Sequence, residues 1–462
     1  MIEERSPAPG EARCPGLSTA DILRRDRTGV PEVLLEESYE YLGSSDIPFT
    51  AYTSRTNLQL EYERMWSRVW QWACREEHIP RVGDYSVYDI GDRSVIVTRT
   101  AEGIKAYNNF CLHRGTQLRP SASTGAARQF RCPFHGWTWT LEGSLASVPC
   151  DWDFPHVSKD EFSLPEVKVG LWGGFVFVNF DPDAEPLDQY LGVLPEHFAD
   201  WDLSDRYVET HIRKRLPCNW KAGAEAFLEG YHIFETHSQA AMGAGDANAS
   251  YDVFGRHVSR FIQTQAFPSP HITPQPDDDQ VLDALFARKA PGSERPQRPE
   301  GWTARDVYAE FVKGVYGERY RRDFSHLSIS ETIDPIQYFV FPNAFFFPGL
   351  AIPMVYRFRP NGDDPDSCIF DLLFMRPKPV DGPPPPPAEP HDLDVDDSYS
   401  LVPGLDESIA LIFDQDTSNL AAQTRGFKGS MKRAQTLGNY QEVRTRHLHQ
   451  TLRGYLDRAI GA

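Results

Sequence analysis

A chain of 462 residues is too long for one hydrophobic core, and at about 100–200 residues per unit it is expected to divide into two or three. Hydrophobic side chains at 40% and charged ones at 24% exclude disorder over most of its length. Lys+Arg 47 against Asp+Glu 66 leaves a formal charge of -19, a field that repels phosphate backbones and anionic surfaces, so neither nucleic acid nor membrane is an expected partner.

Residues 1–46 are rich in Pro and Gly near the start and lack an apolar period until Ala20, which predicts a loosely held N-terminal extension. The opening is acidic, without a basic or apolar leader, and the seven cysteines are odd in number. Both features point to a cytoplasmic setting in which thiols stay reduced and serve metals. From Thr56 to Ala73 the apolar positions Leu58, Leu60, Tyr62, Met65, Trp66, Val69 and Trp70 recur at helical spacing and predict an amphipathic helix leading into the next unit. Short alternating runs then follow over 79–180 (Tyr85–Ile90, Ser94–Thr98, Gly174–Phe180), as in a small all-β domain of about 100 residues.

Within that β unit stand Cys111-Leu-His113 and Cys132-Pro-Phe-His135. Two loops that each offer one thiolate and one imidazole can serve a shared metal centre. Zinc fingers segregate Cys from His, whereas a Rieske [2Fe-2S] centre takes two of each, so the pairing favours the iron cluster over structural zinc.

The second unit begins after Asp181-Pro182 with helical pattern and reaches Asn219-Trp-Lys-Ala-Gly-Ala-Glu225-Ala-Phe-Leu-Glu229-Gly-Tyr-His232-Ile-Phe-Glu-Thr-His237. Glu225, Glu229 and His232 are spaced to share one helical face, but His237 is five residues further, so a helix must end or bulge for both imidazoles to reach one metal. A polar stretch near 272–300 follows, then strands at about 336–341, 344–347, 353–359 and 368–376. Prolines 342, 348 and 353 prevent the apolar region Tyr338–Phe358 from being one membrane-spanning helix. The five prolines 383–387 read as a surface linker before a long C-terminal helical segment. In that segment Ile409, Ile412, Phe413, Asp416 and Leu420 form one stripe, which places a carboxylate among apolar neighbours, a costly position unless it is paired or bound to metal. Two His and one carboxylate form the facial triad of non-haem Fe(II) oxygenases, with Asp416 as the third ligand and Asp414, on another face, as the fallback.

The CLHRG and CPFHGW loops, the NWK…EGYH-x₄-H run and Asp416-Thr-Ser-Asn-Leu-Ala-Ala-Gln-Thr-Arg-Gly426 together resemble the α subunits of Rieske non-haem iron oxygenases, over roughly residues 47 to 430. The resemblance implies an α+β chain: an extension (1–46), a Rieske domain with its leading helix (47–182), and a helix-grip catalytic domain (183–462) with an antiparallel sheet and a long C-terminal helix. It implies that Cys111 and Cys132 bind one iron of the cluster and His113 and His135 the other, and that His232, His237 and Asp416 hold a mononuclear Fe(II). It further implies a head-to-tail trimer, alone or as α3β3 with a small β subunit. Electrons then cross an interface from the His135 end of one subunit's cluster through Glu229 to His232. Glu229 stands where ring dioxygenases of the family often have Asp, and in this it is similar to the amine and betaine oxygenases. Asn219 either lies near the iron without binding it or caps a helix.

The chain has no GxGxxG or P-loop, so NAD(P)H would act through a separate reductase, with or without a ferredoxin, and O2 would be the co-substrate. Phe227, Phe234, Phe345, Phe346 and Phe347 suggest an aromatic-lined cavity for an aromatic or other hydrophobic small molecule, hydroxylated or cis-dihydroxylated. The alternatives are N- or O-demethylation or C–N cleavage of an amine or betaine, a non-enzymatic Rieske electron carrier, and a ligand-binding module with structural zinc.

Overall fold

The computed structural model describes residues 7–289, 292 and 294–457. Two antiparallel frameworks dominate. Seven strands lie in the order Gln71–Arg75, Phe175–Asn179, Glu166–Trp172, Gly103–Asn108, Arg93–Thr100, Asp84–Ile90, Thr124–Ala126, and a three-stranded sheet of Phe130–Arg131, Thr138–Trp139 and Leu145–Ser147 stands beside them. The second framework has eight strands in the order Ser250–Phe254, Val258–Ile262, Ile336–Val340, Ala344–Phe346, Met354–Asn361, Asp364–Pro377, Arg206–Leu216, Pro390–Leu393, of which only the last pairs parallel. The mixed α+β class and the sheets expected from alternation are therefore present.

The two frameworks share one apolar core. Phe346 meets Phe175 and Trp172 edge-on at 5.3 and 5.2 Å between centroids. Arg357 of the larger sheet lies over the Trp72 ring at 4.1 Å and donates to the Trp72 carbonyl. Alternation along Ala344–Phe346 explains this: Phe345 and Phe346 point to opposite faces, so Phe346 joins the inter-sheet core rather than a substrate cavity.

Three elements differ from the expectation. The leading helix is Arg55–Arg64, and the aromatic and β-branched run that follows it enters the strand Gln71–Arg75. The C-terminal helical segment is three helices, Glu407–Ser418, Leu420–Gly429 and Val443–Leu456. Between the last two, the short strand Ala434–Gln435 pairs with Ile47–Pro48. Of the predicted loose extension, residues 1–6 lie outside the described residues, and the part from Thr19 on is tied down: Thr19 Oγ1 donates to the Asn248 carbonyl, and Arg260 donates to the carbonyls of Val33 and Glu36.

Their firmest tether is Arg305, which meets Asp26 and Asp334 at 2.8 Å each, with all three side chains nearly free of solvent exposure. Replacing one partner of such a group strands the remaining charges, at a cost of about 3–5 kcal/mol. Arg305→Ala is therefore expected to lower the urea midpoint and to expose residues 19–46 to proteolysis. An unchanged midpoint with an intact N-terminus would contradict this.

Candidate active site

The two Cys/His loops are built alike. Gly115 and Gly136, each four residues after its cysteine, have φ of +75° and +76°. Their N–H groups donate to the Cys111 and Cys132 carbonyls at 2.9 and 3.2 Å. No Cβ contact explains Gly115; the left-handed backbone does, since it is strained for any side chain. Cys111 and Cys132 are buried. The rings of His113 and His135 lie 4.7 Å apart, and His113 stacks on Trp137 at 5.1 Å, which fixes its plane.

These residues fit a two-Cys, two-His cluster. His113 Nδ1 is buried with no protein partner, and the loop around Cys132 and His135 leaves an open recess bounded by Arg131, Phe134 and Pro149. Burial pushes the Cys111 thiol up, and the neighbouring Cys132 adds to the rise, so paired thiols here gain from a cation that takes them as thiolates. Cys132→Ala is expected to bleach the protein and remove about two irons per chain. Iron at His232, His237 and Asp416 should remain, as metal analysis and visible absorbance would show.

The second group arises from a single helical turn, Ile233–Thr236, flanked by His232 on its N-terminal side and His237 on its C-terminal side. The expected break is met by making the helix so short that both imidazoles lie at its ends. Asp416 enters from Glu407–Ser418. Its Oδ1 lies 2.7 Å from His237 Nε2 and 3.3 Å from His232 Nε2, and one ligand atom from each residue falls within 4.8 Å of the others.

The far nitrogens are already engaged: His232 Nδ1 is 2.8 Å from Glu229 Oε1, and His237 Nδ1 is 2.9 Å from Gln415 Oε1. With Nδ1 tied, each Nε2 is presented toward Asp416. Glu229 also accepts the His232 backbone N–H at 3.0 Å, so one carboxylate holds both the ring and the chain of this ligand. Burial alone would lower the His232 pKa, but Glu229 and Asp416 raise it to about 10. Against its own burial, Asp416 is held low by His232 and His237. A partly buried pocket with two carboxylates on its rings is suited to a divalent cation in place of a ring proton, and two imidazoles with one carboxylate are the donors Fe(II) accepts.

Several expectations resolve here. Asp416, not Asp414, faces the histidines; Asp414 accepts from Ser398 Oγ at 2.6 Å and from the Tyr399 N–H at 3.0 Å. Asn219 is the capping residue: its Oδ1 takes the Lys221 N–H, and its amide nitrogen donates to the Tyr52 and Pro365 carbonyls. Its polar atoms are all committed to backbone, as the capping alternative expected.

Glu225 does not share a face with Glu229 and His232, because the helix Trp220–Glu225 ends at that point. It is bound instead by Tyr52, His449 and Gln435. Phe234 packs on His271, away from the rings around Phe227. Phe345 and Phe347 pack on Tyr356 at 4.6 and 5.5 Å. Gln415 was not anticipated; its one signal in the sequence is that it adjoins Asp416.

Residues 69–158 match the model of the Rieske [2Fe-2S] domain, and residues 198–458 match that of the ring hydroxylating alpha subunit (catalytic domain). The large oxygenase component of salicylate 5-hydroxylase from Ralstonia sp is 35% identical over 205 residues, 41% of this chain and 48% of that protein. Chlorobenzene dioxygenase subunit alpha from Cupriavidus sp. (strain PS12) is 34% identical over 42% of this chain and 44% of its own length. The oxygenase subunit of glycine betaine monooxygenase from Pseudomonas aeruginosa is 27% identical over 48% and 51%. The chain thus spans about half the length of the curated relatives it matches.

In fold it is similar to the quaternary ammonium Rieske monooxygenase CntA with L-carnitine (TM-score 0.61, 15% identity, 91% of this chain and 100% of that one). It is equally similar to naphthalene 1,2-dioxygenase with indole (0.61, 18%, 91% and 93%). Among the described residues no helix is long and apolar enough to cross a membrane. With both metal-site motifs in place and both parts of the chain matched, the protein belongs to the ring-hydroxylating oxygenase α subunits, with a Rieske [2Fe-2S] domain ahead of the catalytic domain.

Proposed function

We propose that the chain is the terminal component of a Rieske oxygenase that hydroxylates an aromatic small molecule. The observation that carries this reading is the convergence of His232, His237 and Asp416, each imidazole tied through Nδ1, in the same chain as the two Cys/His loops. Bound there, the cluster would relay single electrons, and Fe(II) with open positions would activate O2 for insertion into a C–H bond or an arene.

The residues orient this chemistry. Glu229 and Gln415 hold the two imidazoles, and Glu229 is the acid that would link His232 to a cluster delivered by a neighbouring subunit of a trimer. Phe227 supports an aromatic substrate: it contacts Tyr356, Phe358, Phe370 and Phe413 at 5.4 to 6.0 Å, and Phe413 lies one turn before Asp416. Electrons would come from a separate NAD(P)H-dependent reductase, with or without a ferredoxin, in the cytoplasm.

The test is turnover with a surrogate reductase, NADH and labelled O2 over a panel of arenes. One or two labelled atoms in the product support mono- or dioxygenation. Formaldehyde release from methylamines or methyl ethers would favour the demethylation reading. Reductase-dependent electron transfer with no substrate oxidised would favour the carrier.

A further inference from the structure

Arg444, in the first turn of Val443–Leu456, is fully buried. Its Nε donates to Ser259 Oγ at 3.1 Å, and its Nη1 to the Leu228 carbonyl at 3.1 Å and to Gln337 Oε1 at 2.7 Å. None of these acceptors is charged, and Nη2 has no partner among the described residues. Arg260, Arg305 and Arg357, also buried, each face an aspartate within 3 Å, and buried Arg206 and Arg446 donate to backbone carbonyls, but of these six only Arg444 leaves a buried nitrogen without a partner. Burial pushes the Arg444 guanidinium down to about 9. A buried cation whose counter-charge, Asp252, acts only from a distance and which lacks one partner is costly, and an anion beside Nη2 would supply a direct ion pair and that partner together.

The place is as informative as the charge. Strand register puts Ser259, Gln337, Phe339, Phe345, Tyr356 and Phe370 on one face of the larger sheet. Phe227 packs on that face, and Phe413 reaches it from the helix that carries Asp416. The carbonyl that Arg444 holds belongs to Leu228, immediately before Glu229.

The guanidinium can only donate, so Gln337 must turn Oε1 toward it and its amide nitrogen toward Tyr356, 2.9 Å from the hydroxyl oxygen. Tyr356 then accepts, and its own hydroxyl proton remains to be donated. That hydroxyl feels the charges of both Arg444 and Asp416. Two donors without acceptors, Arg444 Nη2–H and Tyr356 O–H, thus stand on one aromatic face near the triad, and a carboxylate has two oxygens to offer them.

We propose that Arg444, with Tyr356, receives the carboxylate of an aromatic acid, making arene carboxylates the substrate class of this site. The assignment rests on the oxygenase reading and narrows it. A cationic ammonium group would meet a like charge at this position, and a neutral arene would leave the guanidinium uncompensated.

The experiment is calorimetric binding of benzoate, 2-hydroxybenzoate and 1-naphthoate against the matching neutral amides, using the metal-loaded protein. The acids are expected to bind at least ~10-fold more tightly than their amides, the effect of a charge-assisted hydrogen bond. Arg444→Met should abolish that preference, bringing the acids to the level of the amides measured on the same variant, as expected when the charged contact is lost. Arg444→Lys should retain part of it, and Tyr356→Phe should weaken the acids severalfold.

If Arg444→Met does not fold, the acid-to-amide ratio of the unmodified protein and the Tyr356→Phe variant decide. Equal binding of acids and amides, no binding of any acid, or a preference that survives Arg444→Met overturns the proposal. Iron content and arene-dependent O2 uptake are measured on the same samples. Neutral-arene turnover without acid preference overturns the anion assignment alone, whereas protein that takes up no mononuclear iron overturns the oxygenase reading beneath it.

Discussion

Replacing Asp416 by Ala is expected to lower bound iron from about three to about two per chain, leave the cluster's colour intact, and reduce oxygenation more than about 100-fold. Asp416 is the only carboxylate in the group of three donors, and its Oδ1 faces both Nε2 atoms. Without it the two imidazoles remain, fixed by Glu229 and Gln415 but lacking the carboxylate charge that holds a divalent ion in a partly buried pocket.

The loss is expected chiefly in metal binding, because Glu229 and Gln415 still hold the two rings when the Asp416 side chain is gone. Asp414→Asn is the control: it disturbs the contacts with Ser398 and Tyr399 but should retain the third iron. Metal analysis with visible and electron paramagnetic resonance spectra separates the two sites. Retention of the third iron in Asp416→Ala would overturn the ligand assignment.

What could be read from sequence was what depends on residue type at fixed spacing. The cluster loops were legible because thiolates and imidazoles are uncommon and each loop carries its own pair and its own glycine. Asp416 was legible because a carboxylate in an apolar stripe must have a reason to be there. Glu225 was misread as a neighbour of Glu229 because periodicity assumes that a helix continues, and backbone hydrogen bonding ends this one at Ala226.

Phe346 and Phe345 looked alike as a run, and only the strand's alternation separates the inter-sheet core from the site face. Gln415 and Arg444 were invisible for another reason: polar residues on helices are common, and what sets these two apart is their tertiary surroundings, His237 for one and Ser259, Gln337 and Leu228 for the other. Residues 7–46 carried little periodic signal because they are held by scattered contacts, buried Leu23 and Leu34 and ion pairs such as Arg305 with Asp26, and not by a repeating apolar face.

Glu229→Gln is expected to keep both metal centres and yet lower coupled turnover by ~10- to 100-fold, the usual cost of losing a partner of a metal-binding histidine. The carboxylate accepts from the His232 backbone N–H on one oxygen and from Nδ1 on the other. A carboxamide offers one acceptor oxygen and an NH2 group, so one of the two contacts becomes donor against donor. If oxygen keeps the ring, the chain of His232 loosens; if it keeps the chain, the ring turns. Either way the imidazole loses the charge that orients it, while His237, Asp416 and the ring itself still supply three donors. Glu229→Asp keeps the charge but shortens the reach, and should recover turnover only in part. Single-turnover product formation with a pre-reduced cluster isolates this step from reductase docking. Normal product yield in Glu229→Gln, with both metals bound, would remove Glu229 from the path between the centres and leave it as a support for His232 alone.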